Sequence, residues 1–172
     1  MPTPEDTPKI LKFPKPETDK PITFASNAEY AAGVLLERYI HNFQLQSGIT
    51  FQVPIGYNKV CDFLVNGVFV EYHPLNLNHD FDDRQALRQF WAAMRHVKQP
   101  FRDHILTALS DELAEKYYRR RSFLITMHAG KDSELVVARN ATQFYRQVIK
   151  RFSNQPPREA KFLEEFQKLA KS

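Results

Sequence analysis

Residues 60–73 read Val-Cys-Asp-Phe-Leu-Val-Asn-Gly-Val-Phe-Val-Glu-Tyr-His. Two runs of valine and phenylalanine flank Asn66-Gly67, the dipeptide that best tolerates the two positive φ angles of a type I′ turn. The spacing predicts a β-hairpin, with residues 60–65 leading into the turn, residues 68–73 returning and Pro74 ending the second strand. A two-residue turn pairs Val65 with Val68, and counting back from it sets Asp62 opposite Glu71. Side chains alternate along a strand, so Glu71 and His73 share a face. Asp62, Glu71 and His73 are therefore expected to cluster.

The flanking segments extend the pattern in both directions. Residues 49–54 (Ile-Thr-Phe-Gln-Val-Pro) alternate and stop at a proline-glycine turn. Before them, Ser26-Asn27-Ala28-Glu29 reads as a capping box, with the Glu29 side chain reaching back to the Ser26 amide. The helix it opens carries Ala31, Val34, Leu35 and Tyr39 on one face and runs to about residue 43. After the hairpin, Leu87, Phe90, Trp91, Met94 and Val97 mark a helical face, and the carboxylates of residues 79–83 suit its N-terminus. Pro100 breaks or kinks that helix, and Ile105, Leu106, Leu109, Leu113 and Tyr117 mark another helical run. Residues 122–127 (Ser-Phe-Leu-Ile-Thr-Met) read as a buried strand, and residues 134–137 as a short edge strand. Asn140 caps a helix bearing Phe144, Val148 and Phe152, and Pro156-Pro157 precedes a last helix with a Phe162, Phe166 and Leu169 stripe. The order predicts an α/β or α+β fold with a mixed sheet.

Residues 1–24 differ from the rest, since six prolines interleaved with Lys, Glu and Asp block helix formation. They read as a disordered or extended arm, and residues 25–172 as a single domain. A chain of 172 residues, 42% hydrophobic, suits one domain with its own core. A lone cysteine, Cys61, excludes an intrachain disulfide framework and a Cys-rich zinc site. No membrane-span or signal-peptide pattern is present, so the expected location is cytoplasmic, without a membrane partner. The formal charge of +4 is too small to imply nucleic acid by itself.

Two facing carboxylates within apolar strands either lie on a solvated face or need compensation. A hard divalent cation supplies it: Mg²⁺ takes one or two carboxylates and keeps water and phosphate positions open, and Mn²⁺ could substitute. The order helix, strand, Asp-bearing strand, Glu-bearing strand, helix, strand resembles the restriction-endonuclease-like α-β-β-β-α-β core of the PD-(D/E)XK nuclease superfamily. The resemblance spans about residues 26–128, on Pro54-Ile55-Gly56, Asp62-Phe63 and Glu71-Tyr72-His73. It implies Mg²⁺-dependent hydrolysis of phosphodiester bonds, most often in DNA, with Asp62 and Glu71 as metal ligands. Glu37 would match the helix acid of some members. His73 stands where the motif has lysine, and no proline directly precedes Asp62; Lys59 and Lys131 are conceivable substitutes for the lysine.

A nuclease also needs phosphate contacts. Lys116, Arg119, Arg120 and Arg121 form a dense basic run, expected at a helix C-terminus. Arg84 to Arg102 and Arg139 to Arg151 carry two looser groups. The chain is thus expected to be a metal-dependent nuclease acting on DNA, with RNA open. A non-catalytic nucleic-acid-binding module on the same fold and a structural subunit are the alternatives. The last helix and the arm suit a homodimer.

Overall fold

The computed structural model describes residues 9–11, 22–40 and 48–171. Two short strands, β1 (Lys9–Leu11) and β2 (Ile22–Phe24), pair antiparallel. Phe24 is fully buried, so the core begins inside the stretch assigned to the arm. The remainder of the arm lies outside the described residues, as does the expected end of the first helix at residues 41–47.

Helix α1 (Asn27–Ile40) starts at Ser26, whose Oγ accepts the Glu29 N–H at 3.1 Å. Only half of the expected capping box forms, because the Glu29 carboxylate takes the Ala25 amide instead of that of Ser26. Strands β3 (Ile49–Pro54), β4 (Val60–Val65) and β5 (Val68–Tyr72) then form an antiparallel meander. Asn66 and Gly67 have φ of 49° and 82°, and Val65 pairs with Val68, as the turn chemistry requires.

The chain crosses over through α2 (Leu77–Asp80), α3 (Arg84–Met94) and α4 (Gln99–Ala129). Asp83 caps α3, its Oδ1 accepting the Gln85 and Ala86 amides. Pro100 sits in the first turn of α4, where its missing N–H costs nothing. β6 (Glu134–Ala138) returns parallel to β5 and completes a mixed four-stranded sheet, ordered β3-β4-β5-β6. Asn140 caps α5 (Ala141–Phe144), which continues through a π-helical segment (Tyr145–Ile149) into α6 (Lys150–Phe152). α7 (Glu159–Lys171) follows the prolines. The result is a mixed α/β fold with helices on both faces of a central sheet.

One expected strand is not there. Residues 122–127 are the C-terminal part of α4, a helix of 31 residues. Their apolar run does not mark a buried strand, since only Ile125 is fully buried while Phe123 and Met127 are 64% and 58% exposed. The strand after the long helix is β6, the segment expected to be a short edge strand.

Two cores divide the sheet. On one face, Phe63, Val65, Val70 and Tyr72 pack with α1, α7 and the segment from α5 to α6. On the other, Ile55, Cys61, Phe69 and Leu135 meet Ile125 of α4. Gly33 is required where α1 meets the first core, because a Cβ there would lie 2.8 Å from the buried Phe24 ring. Among the described residues, no helix is long and apolar enough to cross a membrane.

Candidate functional site

Strict alternation fails at one point in the sheet, and that point is Asp62. Gln52 has a φ of 51°, the left-handed region, and its Nε2 donates to the Thr23 carbonyl. Phe51 belongs to the α1-side core, whereas Val53, two residues on, packs on the α4 side. Phe63 and Cys61, their partners on β4, divide in the same way. The β4–β5 ladder is regular as far as Phe63–Val70 and then stops. Beyond it, the Asp62 Oδ2 accepts the Tyr72 N–H at 2.8 Å.

The expected cluster of Asp62, Glu71 and His73 is therefore divided between two helices. Asp62 lies near Glu29, in the first turn of α1, close enough for each carboxyl to shift the other. Its carboxyl is pushed well above the ordinary range, first by burial and then by the charges of Glu29 and Glu71. Glu29 is raised too, mainly by burial, while Asp62 pulls the other way. The two carboxyls are half-buried, and each is raised, so the protonated form of either is favoured beside the other.

Glu71 looks to α4. It is 1% exposed, and burial raises its pKa against the opposing pull of Arg121 and Tyr117. Tyr117 Oη donates to Glu71 Oε2 at 2.6 Å, and Arg121 Nε lies 3.2 Å from Oε1. Arg121 Nε also donates to Tyr117 Oη at 3.1 Å, closing the network. Burial and the Glu71 charge together push the Tyr117 hydroxyl upward, so it stays protonated as a donor. His73 stacks flat on Tyr117, with centroids 3.8 Å apart, and its Nε2 lies 3.0 Å from Asp80 Oδ1. Asp80 is fixed in turn by the Asn76 amide at 2.9 Å. Glu29, His73 and Asp80 line one cleft of about 610 Å³ between the start of α1 and the β5–α2 connection.

Glu37 lies two turns beyond Glu29, about 12 Å along the helix axis. The acid that α1 brings to Asp62 is thus Glu29, which the sequence reading assigned to capping. Lys59 and Lys131 lie in the β3–β4 and α4–β6 loops. Among the described residues, no three His, Cys, Asp or Glu side chains are grouped as a metal cage. The donor set still suits a hard cation in part. Glu29 and Asp62 bring carboxylate oxygens close to one another, and the buried Glu71 Oε1 makes no hydrogen bond, facing only the Arg121 Nε at 3.2 Å.

The basic run falls in the middle of α4, not at a helix C-terminus. Lys116 Nζ and Arg120 Nη2 both meet Asp82 Oδ2, at 2.5 and 3.0 Å. These cations hold the Asp82 carboxylate down to about 2. Arg119 faces solvent, with Glu115 at 4.0 Å, while Arg121 turns inward to Glu71. In the third basic group, Arg139 pairs with Asp111, Arg146 with Glu159 and Arg151 with Glu134. Exposed pairs of this kind are weak and salt-sensitive, so polyanion phosphates can compete for the same cations.

Comparison with protein-family models, curated proteins and solved structures finds no match for this chain.

Proposed function

We propose that this protein is a Mg²⁺-dependent nuclease of the PD-(D/E)XK type, with Asp62 at the centre of its site. What supports the reading is the half-buried pair of raised carboxyls, Asp62 and Glu29, with Glu71 in electrostatic range and Glu29 on the wall of an open cleft. The element order α1, β3-β4-β5, crossover helix, β6 is consistent with the α-β-β-β-α-β core of that superfamily.

Asp62 and Glu29 would hold the ion, with Glu71 as the further carboxylate. A bound Mg²⁺ supplies polarisation of the phosphodiester and a more acidic water. The chain's own residues do the rest. The Tyr72 amide fixes Asp62, so that its second oxygen is directed by a backbone bond and not by a free rotamer. Asp80 and the Tyr117 ring fix the plane of His73 at the edge of the cleft, in the place of the motif lysine. Arg119, Lys116 and Arg120 lie on the outer surface of α4, where they would draw in the phosphate backbone without reading sequence.

Full-length protein incubated with single-stranded and duplex DNA and RNA, with Mg²⁺ or with EDTA, tests the reading. Expected is Mg²⁺-dependent cleavage that falls by about 10²-fold or more in both Asp62→Asn and Glu29→Gln. Cleavage unchanged in both variants would refute the site. Salt-dependent binding without cleavage would establish the second reading, a nucleic-acid-binding module. That reading is favoured by one feature, the sequestration of Glu71 and His73 in contacts with α4 and Asp80.

A further inference from the structure

α4 turns most of its surface away from the sheet. Of its 31 residues only Ile125 is fully buried. Tyr117 and Arg121, which reach Glu71, mark its inner side. The outer side begins with Phe101, Ile105 and Ala108 and continues through Glu112, Glu115 and Arg119, all of them exposed. The steps between these residues alternate between four and three, so they line up along one face, which Phe123 and Met127 extend.

This stripe has apolar ends and a charged middle. Phe101 is 67% exposed at one end, and Phe123 and Met127 are 64% and 58% exposed at the other. Large apolar side chains turned to water on one continuous face favour a partner that covers them. The charges between them are loosely held. Arg119 meets Glu115 at only 4.0 Å, with both side chains well exposed, and Glu112 has no ion pair among the described residues. The apolar stripe of α7, by contrast, is packed into the chain's own core through Phe162 and Phe166.

The order of the charges selects the partner and its direction. A parallel second copy would set Glu112 against Glu112 and Arg119 against Arg119. An antiparallel copy, centred between residues 115 and 116, sets Glu112 of each beside Arg119 of the other and Glu115 beside Lys116. The same register lays Phe123 over the small Ala108 and brings Ile105 next to Met127. We propose that the outer face of α4 seats a second copy of this chain, antiparallel across a two-fold axis near residues 115 and 116. The stripe supplies both sides of the contact, over about 40 Å from Phe101 to Met127. Arg120 lies on the flank with Asp82 and stays open to phosphate in the dimer.

Sedimentation equilibrium of the full chain, without nucleic acid, from about 1 to 200 μM in about 0.05 M salt, tests the proposal. Wild type is expected to be dimeric at the upper end and to dissociate on dilution. Phe123→Glu, which sets a charge against Ala108 of the second copy, is expected to weaken association about tenfold or more. Glu112→Arg and Arg119→Glu each bring like charges together twice and are expected to weaken it about fivefold or more. The double variant restores opposite charges and is expected to return to within about twofold of wild type. All three positions are exposed, so the single chain keeps its fold in each variant. A wild type that stays monomeric throughout overturns the proposal and leaves the face to a different partner. A dimer that withstands Phe123→Glu also overturns it, since the contact then lies elsewhere. Single reversals that weaken the dimer without recovery in the double variant overturn the antiparallel seating.

Discussion

Asp62→Asn is expected to make the protein more stable at neutral pH while destroying the site. The Asp62 carboxyl is raised by burial first, then by the neighbouring charges of Glu29 and Glu71. A carboxyl with a raised folded-state pKa holds a proton that the unfolded chain releases. Its contribution is therefore fully favourable below the ordinary carboxyl value and is lost as pH rises from there through the folded-state value. At neutral pH the wild type bears that penalty. Asparagine keeps an oxygen for the Tyr72 amide, offers Glu29 an N–H donor, and adds no charge. The gain expected at pH 7 is about 1–2 kcal/mol, in line with other substitutions of strained functional groups. Thermal unfolding of both proteins between about pH 4 and pH 8 should give curves that converge at the acid end. A variant less stable than wild type at pH 7 would mean that Asp62 is a structural anion and not a suppressed one.

The largest loss of stability is expected in the core on the α1 side of the sheet, from Phe162→Ala in α7. Phe162 is fully buried, with ring centroids of Tyr145, Phe166, Phe144 and Tyr39 at 5.2, 6.1, 6.4 and 6.4 Å. Removing the ring leaves a cavity walled by other rings that cannot all collapse into it, at a cost of about 3–5 kcal/mol. Domains of this size have only about 5–15 kcal/mol in hand, so the variant should lie near its unfolding midpoint in mild urea. The helix is also pinned through Glu165, which accepts from Tyr39 Oη at 2.7 Å and from Arg38 Nη1 at 2.8 Å. Burial and that carboxylate push Tyr39 up to about 12, so its hydroxyl remains a donor at every working pH. A loss below about 1 kcal/mol in urea unfolding would mean that α7 is an appendage and not part of the core.

The hairpin was legible because its determinants are local. Asn66-Gly67 admits the two positive φ angles, and the register follows from the turn length alone. The helix caps at Asp83 and Asn140 were legible for the same reason. Residues 122–127 were misread because a short apolar run has no period of its own. The wider window did hold the answer, since Leu113, Tyr117, Arg121 and Ile125 are spaced by four and continue one helical face. Arg121 was then hard to assign, because basic residues in such a run usually face water.

The site was only half legible. That Asp62 and Glu71 sit near the end of a hairpin followed from the turn. That Glu29 meets one and Arg121 the other did not, because those contacts join residues 33 and 50 positions apart in sequence. The reversal of faces at Gln52 has no signature in residue type, since glutamine is not favoured at positive φ. Glu29 looked complete as half of a capping box, and a residue with a sufficient local role gives no sign of a second one.

The central claim is that Asp62 and Glu29 form one cation site beneath an open cleft. Crystals of the full chain soaked in Mn²⁺, with data collected for anomalous scattering, test it most directly. The account predicts an anomalous peak bonded to carboxylate oxygens of both Asp62 and Glu29 at about 2.2 Å, absent in Asp62→Asn. No peak at these carboxylates in crystals that take up Mn²⁺ elsewhere would contradict it.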